Sequence, residues 1–368
     1  MKNGASSLCN IRKKMMRVKK VNKVISILLL ISMVLSACSN NNDTTPSTDP
    51  NKTLTPTPTA TASTEPTDRA GITVNIASLK GPTTMGLTKL MADSDEKQTK
   101  DTYAVTMHGT ADEIVTGIVK GEVDVALVPC NLASVLYKKT EKKVQVAAIN
   151  TLGVLSIVET GSSIQSFADL KGKTIYATGK GTTPEYALNY LLKANGLDPE
   201  KDVTIEFKSE ATEVAAILSE ATDAVAMLPQ PFVTTASMKN DKIRIALDLS
   251  DEWDKVAGGS SSLVTGVVTV RTEWLEKNKE AFNDFLALYK DSTQWVNANI
   301  DDAAALIGKY DIVPEAVAKK AIDKCNITYI DGSEMKEKIT GYLTVLFDAD
   351  KASVGGELPD DNFYYEAK

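Results

Sequence analysis

The chain repeats itself at a fixed offset of one hundred residues. Ala77, Lys80, Gly81, Thr83, Ala111, Glu113, Val125, Ala126 and Pro129 recur as Ala177, Lys180, Gly181, Thr183, Ala211, Glu213, Val225, Ala226 and Pro229. Identity is weak, but the pattern runs without a gap from about Asn75 to about Leu136. Each copy reads as strand, Lys-Gly loop, helix, strand, helix, strand and a proline loop. One α/β unit used twice, with equivalent loops at equivalent strand ends, predicts two similar doubly wound lobes that face each other across a ligand cleft.

The N-terminal end lies outside this pattern. Lys2, Arg12, Lys13, Lys14, Arg17, Lys19, Lys20 and Lys23 form a basic head, with no acidic residue before Asp43. An apolar stretch of about 14 residues follows, Val24 to Ala37, short of the roughly 20 that a bilayer core requires. The two together read as an export signal over residues 1–37. The stretch ends in Leu35-Ser36-Ala37-Cys38, which resembles the lipobox of bacterial lipoproteins. That resemblance implies cleavage before Cys38, a diacylglyceryl group on its sulfur, and anchoring to a membrane surface without spanning it. An ordinary signal with a chance cysteine is the alternative. Residues 38–70 are rich in Thr, Pro, Ser, Asn and Asp and cannot bury enough apolar surface to offset their ordering entropy. Their Thr-Pro alternation suits an extended tether of about 3.1 Å per residue.

Charge and residue counts exclude whole classes of function. Taking the eight basic residues of the head from the 41 in the chain leaves 33 against 48 acidic ones, a formal charge of −15. Nucleic acid is therefore not an expected partner, since its phosphates demand a basic surface. The single histidine, His108, rules out any site needing two, and leaves a histidine-dependent triad one candidate. With Cys9 in the signal and Cys38 lipidated, Cys130 and Cys325 remain, without a CxxC pair. Free buried thiols are the preferred reading and one disulfide is the alternative.

Periodicity places the elements. Strands are expected over residues 72–77, 102–108, 123–128, 144–149 and 154–159, then 174–177, 203–207, 224–228, 243–247 and 264–270. Helices are expected over 83–92, over 111–120 with Gly121 as its C-cap, from Thr183 with Pro184 at the first position, and over 214–219. Alternating strands and helices at this spacing predict parallel sheets with helices on both faces. From Glu273 onward the chain reads as mainly helical. The simplest topology returns this tail to the first lobe, giving lobe 1 from 71–152 plus 264–368 and lobe 2 from 153–263. Two adjacent crossings, near Leu152-Gly153 and near Gly259 to Thr265, would then form a hinge. A separate helical domain is the alternative.

Ligands of open parallel α/β sheets bind beyond the carboxyl ends of the strands. The repeat identifies those loops, and the clearest signal is in Lys80-Gly81-Pro82-Thr83-Thr84 and Lys180-Gly181-Thr182-Thr183-Pro184. Each is expected to open a helix, where unpaired N–H groups and partial positive charge favour an anion. Threonine hydroxyls would add donors. The candidate ligand-binding residues are Lys80, Gly81, Pro82, Thr83, Thr84, Met85, Thr110, Asn131, Lys180, Thr182, Thr183, Tyr186 and Gln230. Glu210 could meet an amine but reads better as a helix cap, and Phe232 could provide an apolar wall.

Ser78-Leu79-Lys80-Gly81-Pro82-Thr83-Thr84-Met85-Gly86, Asp169-Leu170-Lys171-Gly172-Lys173, Gly179-Lys180-Gly181-Thr182-Thr183-Pro184-Glu185-Tyr186, Met227-Leu228-Pro229-Gln230-Pro231-Phe232 and Leu358-Pro359-Asp360-Asp361 resemble the extracytoplasmic substrate-binding proteins of ABC importers. The likeness is to the branch of nitrate, sulfonate, taurine and thiamine-pyrimidine binders, and it covers about residues 72–365. Gln230 stands where many members have Glu. The resemblance implies a type II periplasmic-binding-protein fold, a monomer without cofactor or metal, and partnership with a membrane permease and its ATPase. It implies capture of a small organic anion, with a heteroaromatic thiamine-pyrimidine precursor as the alternative. Relatives that are enzymes on the same fold work inside the cell, whereas this chain carries an export signal; a lipoprotein sensor is a further rival.

Overall fold

The computed structural model describes residues 69–258 and 261–366. The expected export signal, the expected lipidation at Cys38 and most of the expected tether fall outside the described residues. The first stretch runs β1 (Thr73–Leu79), α1 (Pro82–Met85), α2 (Thr88–Asp95), β2 (Thr102–His108), α3 (Ala111–Lys120), β3 (Val125–Pro129), α4 (Cys130–Lys139) and β4 (Val144–Leu152). The second runs β5 (Leu155–Glu159), β6 (Thr174–Ala177), α5 (Thr183–Ala194), β7 (Thr204–Phe207), α6 (Ala211–Glu220), β8 (Val225–Pro229), α7 (Phe232–Ser237), β9 (Arg244–Asp248) and α8 (Leu249–Ala257). The last runs β10 (Val264–Arg271), α9 (Thr272–Lys277), α10 (Lys279–Ala298), α11 (Ile300–Lys309), α12 (Glu315–Ala321), β11 (Ile327–Ile330) and α13 (Gly332–Ala349).

These strands form two sheets, in the orders β11-β4-β10-β3-β1-β2 and β7-β6-β8-β5-β9, within one compact unit, Thr67–Lys368. The repeat is visible as two equivalent parallel trios, β2-β1-β3 and β7-β6-β8. The sheets are mixed, not parallel throughout. β10 runs antiparallel to β3 and β4, and β5 runs antiparallel to β8 and β9. Each of these strands enters its sheet from the other sheet and so needs no helical crossover, which is what parallel neighbours demand.

The chain leaves the first sheet through Gly153 and Val154 and returns into β10, where Val264 pairs with Leu152. The two crossings therefore lie side by side. Gly153 lies in close approach to α8: a Cβ there would sit 3.1 Å from Ser250 Cβ and 3.3 Å from Leu263 Cδ2 and would displace the Ser250 hydroxyl.

Local chemistry explains most elements. β3 is buried along its whole length, as its apolar sequence requires. α3 buries Ile114 and Ile118, and left-handed Gly121 (φ 75°) ends it. The helix expected over 83–92 is instead two, α1 and α2. Ser292 of α10 inserts between them: its hydroxyl donates to Gly86 O (2.7 Å) and accepts from Leu90 N–H (3.1 Å), replacing a turn of the helical ladder.

Helices after β10 pack back onto both sheets. Tyr342 of α13 lies 5.3 Å, between ring centroids, from Trp253 of α8, which in turn packs on Tyr190 of α5. One apolar core accordingly joins Val128 and Leu136 to Ile157, Leu188 and Trp253. Cys130 and Cys325 are free and buried.

Candidate functional site

The carboxyl ends of both parallel trios open on one cavity of about 300 Å³. From the first sheet it takes Leu79, Lys80, Pro82 and Thr83 at the end of β1, Gly109 to Asp112 after β2, and Pro129. From the second it takes Thr178, Gly179, Lys180 and Thr182 to Pro184 after β6, Lys208 to Thr212 after β7, and Pro229 with Phe232. Val154, Leu155 and Thr265 of the crossings complete it.

Of the residues singled out from the sequence, Lys80, Pro82, Thr83, Thr110, Lys180, Thr182 and Thr183 line the cavity. The other six do not. Gly81 is buried, with φ 140° and ψ −149°. Thr84 is fully buried, its hydroxyl bonded to Ser78 Oγ (2.7 Å) and Leu79 O. Met85 is fully buried in an apolar core. Asn131 is buried and donates to Ser353 O (2.9 Å). Gln230 is buried and accepts from the Thr234 hydroxyl (2.8 Å). Tyr186 lies in a separate small crevice with Asn189, Lys193 and Leu346; there burial, with the nearby Asp350 and Glu185 charges, pushes its hydroxyl pKa upward.

Thr265 and Val154 were not foreseen, because they belong to the crossings and not to the repeated unit. Lys208 and Asp112 were also missed, although each adjoins a strand-end loop that the repeat assigns to the cleft, Ser209-Glu210 in the second half and Gly109-Thr110 in the first.

Three helices begin at the cavity: α3, α5 and α6, of 10, 12 and 10 residues. None of the residues that precede them, Thr110, Thr182 and Glu210, caps its helix with its side chain. Ala111, Asp112, Thr183, Ala211 and Thr212, which carry the first N–H groups, all line the wall. Such N–H groups and the aligned peptide dipoles attract negative charge.

The two Lys-Gly corners differ from expectation. α1 has only four residues, so the first corner lacks the summed dipole of a long helix. At the second, Thr182 is the residue before the helix and Pro184 its second residue, not its first. There the Glu185 carboxylate already accepts the Gly181 N–H.

Charged groups of both signs surround the cavity. Lys80 pairs with Asp311 (3.2 Å). Lys208 pairs with Glu206 (3.2 Å) and lies over the Tyr176 ring. Asp112 and Glu210 also line the wall. Leu79, Pro82, Val154, Leu155, Pro184 and Phe232 supply apolar surface. Among the described residues, no three His, Cys, Asp or Glu side chains are grouped to hold a metal ion.

A family model described as "ABC transporter, phosphonate, periplasmic substrate-binding protein" matches residues 91–307, more than half of the chain. The chain belongs to this family. It is the substrate-binding component of an ABC transporter, a transport function and not an enzyme class. The nitrate/nitrite binding protein NrtA of Synechococcus elongatus is 24% identical over 330 residues, covering 82% of this chain and 72% of that protein. An ABC transporter structure from Parabacteroides distasonis superposes with a TM-score of 0.64 at 23% identity, covering 80% of this chain and 99% of that one. The alkanesulfonate-binding protein SsuA from Xanthomonas axonopodis pv. citri superposes with a TM-score of 0.62 at 12% identity, covering 78% and 94%. At such identities the structures establish a shared fold. Among the described residues, no helix is long and apolar enough to cross a membrane.

Proposed function

We propose that this substrate-binding protein captures a small organic anion in the cavity and delivers it to a permease. The observation that carries this reading is the convergence of three uncapped helix starts on one cavity that Lys80 and Lys180 also line. The matched family is described by phosphonate, one relative by nitrate and nitrite, and one fold neighbour by alkanesulfonate; all four are oxyanions. The apolar wall favours an organic anion. A cavity of about 300 Å³ is at the lower end of the range for organic ligands, and a bare inorganic ion would leave Phe232 and Leu155 uncovered.

The two sheets would act as jaws, with residues 71–152 plus 264–368 forming one lobe and 153–263 the other. Closure requires only that the ligand bind the closed state better than the open one. A lipid on Cys38 and the tether to residue 70 would keep this monomer near its permease. Cys38→Ser should then release the protein from membranes into the soluble fraction.

A thermal-shift screen of phosphonates, sulfonates, carboxylates, nitrate and heteroaromatic vitamin precursors tests the ligand class. A ligand at one hundred times its Kd stabilises the native state by about 2.7 kcal/mol, so true ligands will stand out. Stabilisation by neutral heteroaromatics and by no anion would overturn the reading.

A further inference from the structure

Behind the second Lys-Gly corner, four polar side chains from four separate segments meet. Thr183 begins α5, which follows β6 of the second sheet. Asn131 lies in the first turn of α4, which follows β3 of the first sheet. Tyr342 belongs to α13, which packs on β4 and β10 of the first sheet, and Ser353 to the chain beyond it. All four are exposed by 1% or less.

The Thr183 hydroxyl donates to Asn131 Oδ1 (3.3 Å). The bond from Asn131 Nδ2 to Ser353 O (2.9 Å) fixes the amide in that orientation. The first corner has no such tie. Thr83 donates to Leu79 O nearby in sequence (2.9 Å), and Pro231 stands one hundred residues after Asn131. Two hydroxyls of the cluster are left over: Tyr342 OH lies beside Thr183 but, like Ser353 Oγ, has no well-formed hydrogen bond.

A polar group enclosed between two sheets is dry only while the sheets stay together, and parting them would return these hydroxyls to water. The Thr183–Asn131 bond therefore favours the closed arrangement. An unpaired hydroxyl opposes it, because losing water without gaining a partner costs at least as much as one hydrogen bond contributes.

The geometry points to a latch set near balance, in which Asn131 and Thr183 draw the two sheets together and the unpaired Tyr342 hydroxyl holds the ligand-free protein back from closing. Thr183 carries part of the cavity wall, whereas Asn131 and Tyr342 do not line the cavity, so these two are positioning residues. They set affinity through the population of the binding-competent state. The latch rests on the jaw motion proposed above, and not on the charge of the ligand.

Single-molecule energy transfer on the ligand-free mature protein tests it. Dyes go on Val119→Cys of α3, beside the first sheet, and Ile245→Cys of β9, in the second; both positions are exposed, and the native Cys130 and Cys325 are buried. Tyr342→Phe should raise the closed-to-open ratio about tenfold and Thr183→Val should lower it about tenfold, the scale of one buried unpaired group. Thr183→Ser keeps the hydroxyl and should stay near the unaltered ratio. A purely structural role would move Tyr342→Phe and Thr183→Val the same way. Shifts of like sign, or none, in proteins that still fold would overturn the latch. Propylsulfonate, where calorimetry shows it bound, separates the two readings. If it shortens the dye distance while the variants leave that distance unmoved, the latch fails and the jaws stand. If neither the bound anion nor any variant moves the distance, the jaw motion fails and takes the latch with it.

Discussion

Lys80-Gly81-Pro82-Thr83 and Lys180-Gly181-Thr182-Thr183 are equivalent corners of one repeated unit, yet the fold treats them differently. The first is buried from Gly81 to Thr88 and held from behind by α10, whose Ser292 breaks the helix that follows. At the second, Lys180 and Gly181 are exposed, and a twelve-residue helix begins at once. The same sequence pattern thus gives a corner fixed by the core and a corner held by local hydrogen bonds. Duplication supplies matched chemistry, and the tail, which has no copy, removes the symmetry.

The largest difference between the corners should appear one hundred residues apart at Met85 and Glu185. Met85→Ala removes a fully buried side chain and should cost about 2–5 kcal/mol. Glu185→Ala, on a half-buried position, should stay within about 1 kcal/mol in urea unfolding, the typical scale of a lost hydrogen bond. Equal costs would show that both corners are core-held.

A smaller contrast is expected at the glycines. Gly81 has φ 140° and ψ −149°, a region essentially confined to glycine, so Gly81→Ala should destabilise by about 1–3 kcal/mol. Gly181, at φ 75°, is left-handed, and alanine there should cost about 1 kcal/mol. Space does not explain the first cost, since the nearest atom to a Cβ on Gly81 is Phe232 Cε2 at 3.5 Å.

Ligand binding should need both corners. Thr83→Ala with Thr183→Ala should weaken binding about tenfold by calorimetry, or about 1.4 kcal/mol, while the free protein still folds and loses about 1 kcal/mol of stability for each of the two buried hydrogen bonds removed. Unchanged affinity would remove the corners from the site.

The smallest contrast should be in acid. Beside each sheet lies a buried carboxylate, held by arginine, whose pKa is displaced. At Asp101 burial pushes the pKa up, but the Arg69 hydrogen bonds and the Ile72 N–H outweigh it and hold it below the ordinary value. At Glu159 burial is likewise outweighed, by the N–H groups of Ile164 and Ser163, the Ser163 hydroxyl and Arg244. Carboxyls with depressed folded-state pKa values stabilise the protein above the ordinary carboxylate range. That stabilisation is lost as pH falls through the depressed values. Urea midpoints should therefore drop below about pH 4, with the halves unfolding together. Separate acid transitions would show that the shared core does not couple them.

How far each conclusion could be read from the sequence follows from how local its cause is. α3 and Gly121, β3 and the strand-end loops came from short-range periodicity and the repeat. The antiparallel strands β5 and β10 did not, because strand direction depends on which sheet the chain arrives from. Thr84, Met85, Gln230 and Tyr186 follow the right strands but face away from the cavity, Thr84 and Gln230 toward the neighbouring hydroxyls of Ser78 and Thr234, Met85 into an apolar core and Tyr186 toward Leu346, because the packing of each short segment decides which side it turns inward.

By itself the amino-acid order determined that two like α/β units exist and which of their loops share an end, because both properties rest on residues within a few turns of one another. Only tertiary packing decided which threonines reach the cavity and what the Thr183 hydroxyl bonds. A hydroxyl's role is set by whichever acceptor lies within 3 Å or so of it, and Asn131, the partner of Thr183, is brought there from the other half of the molecule.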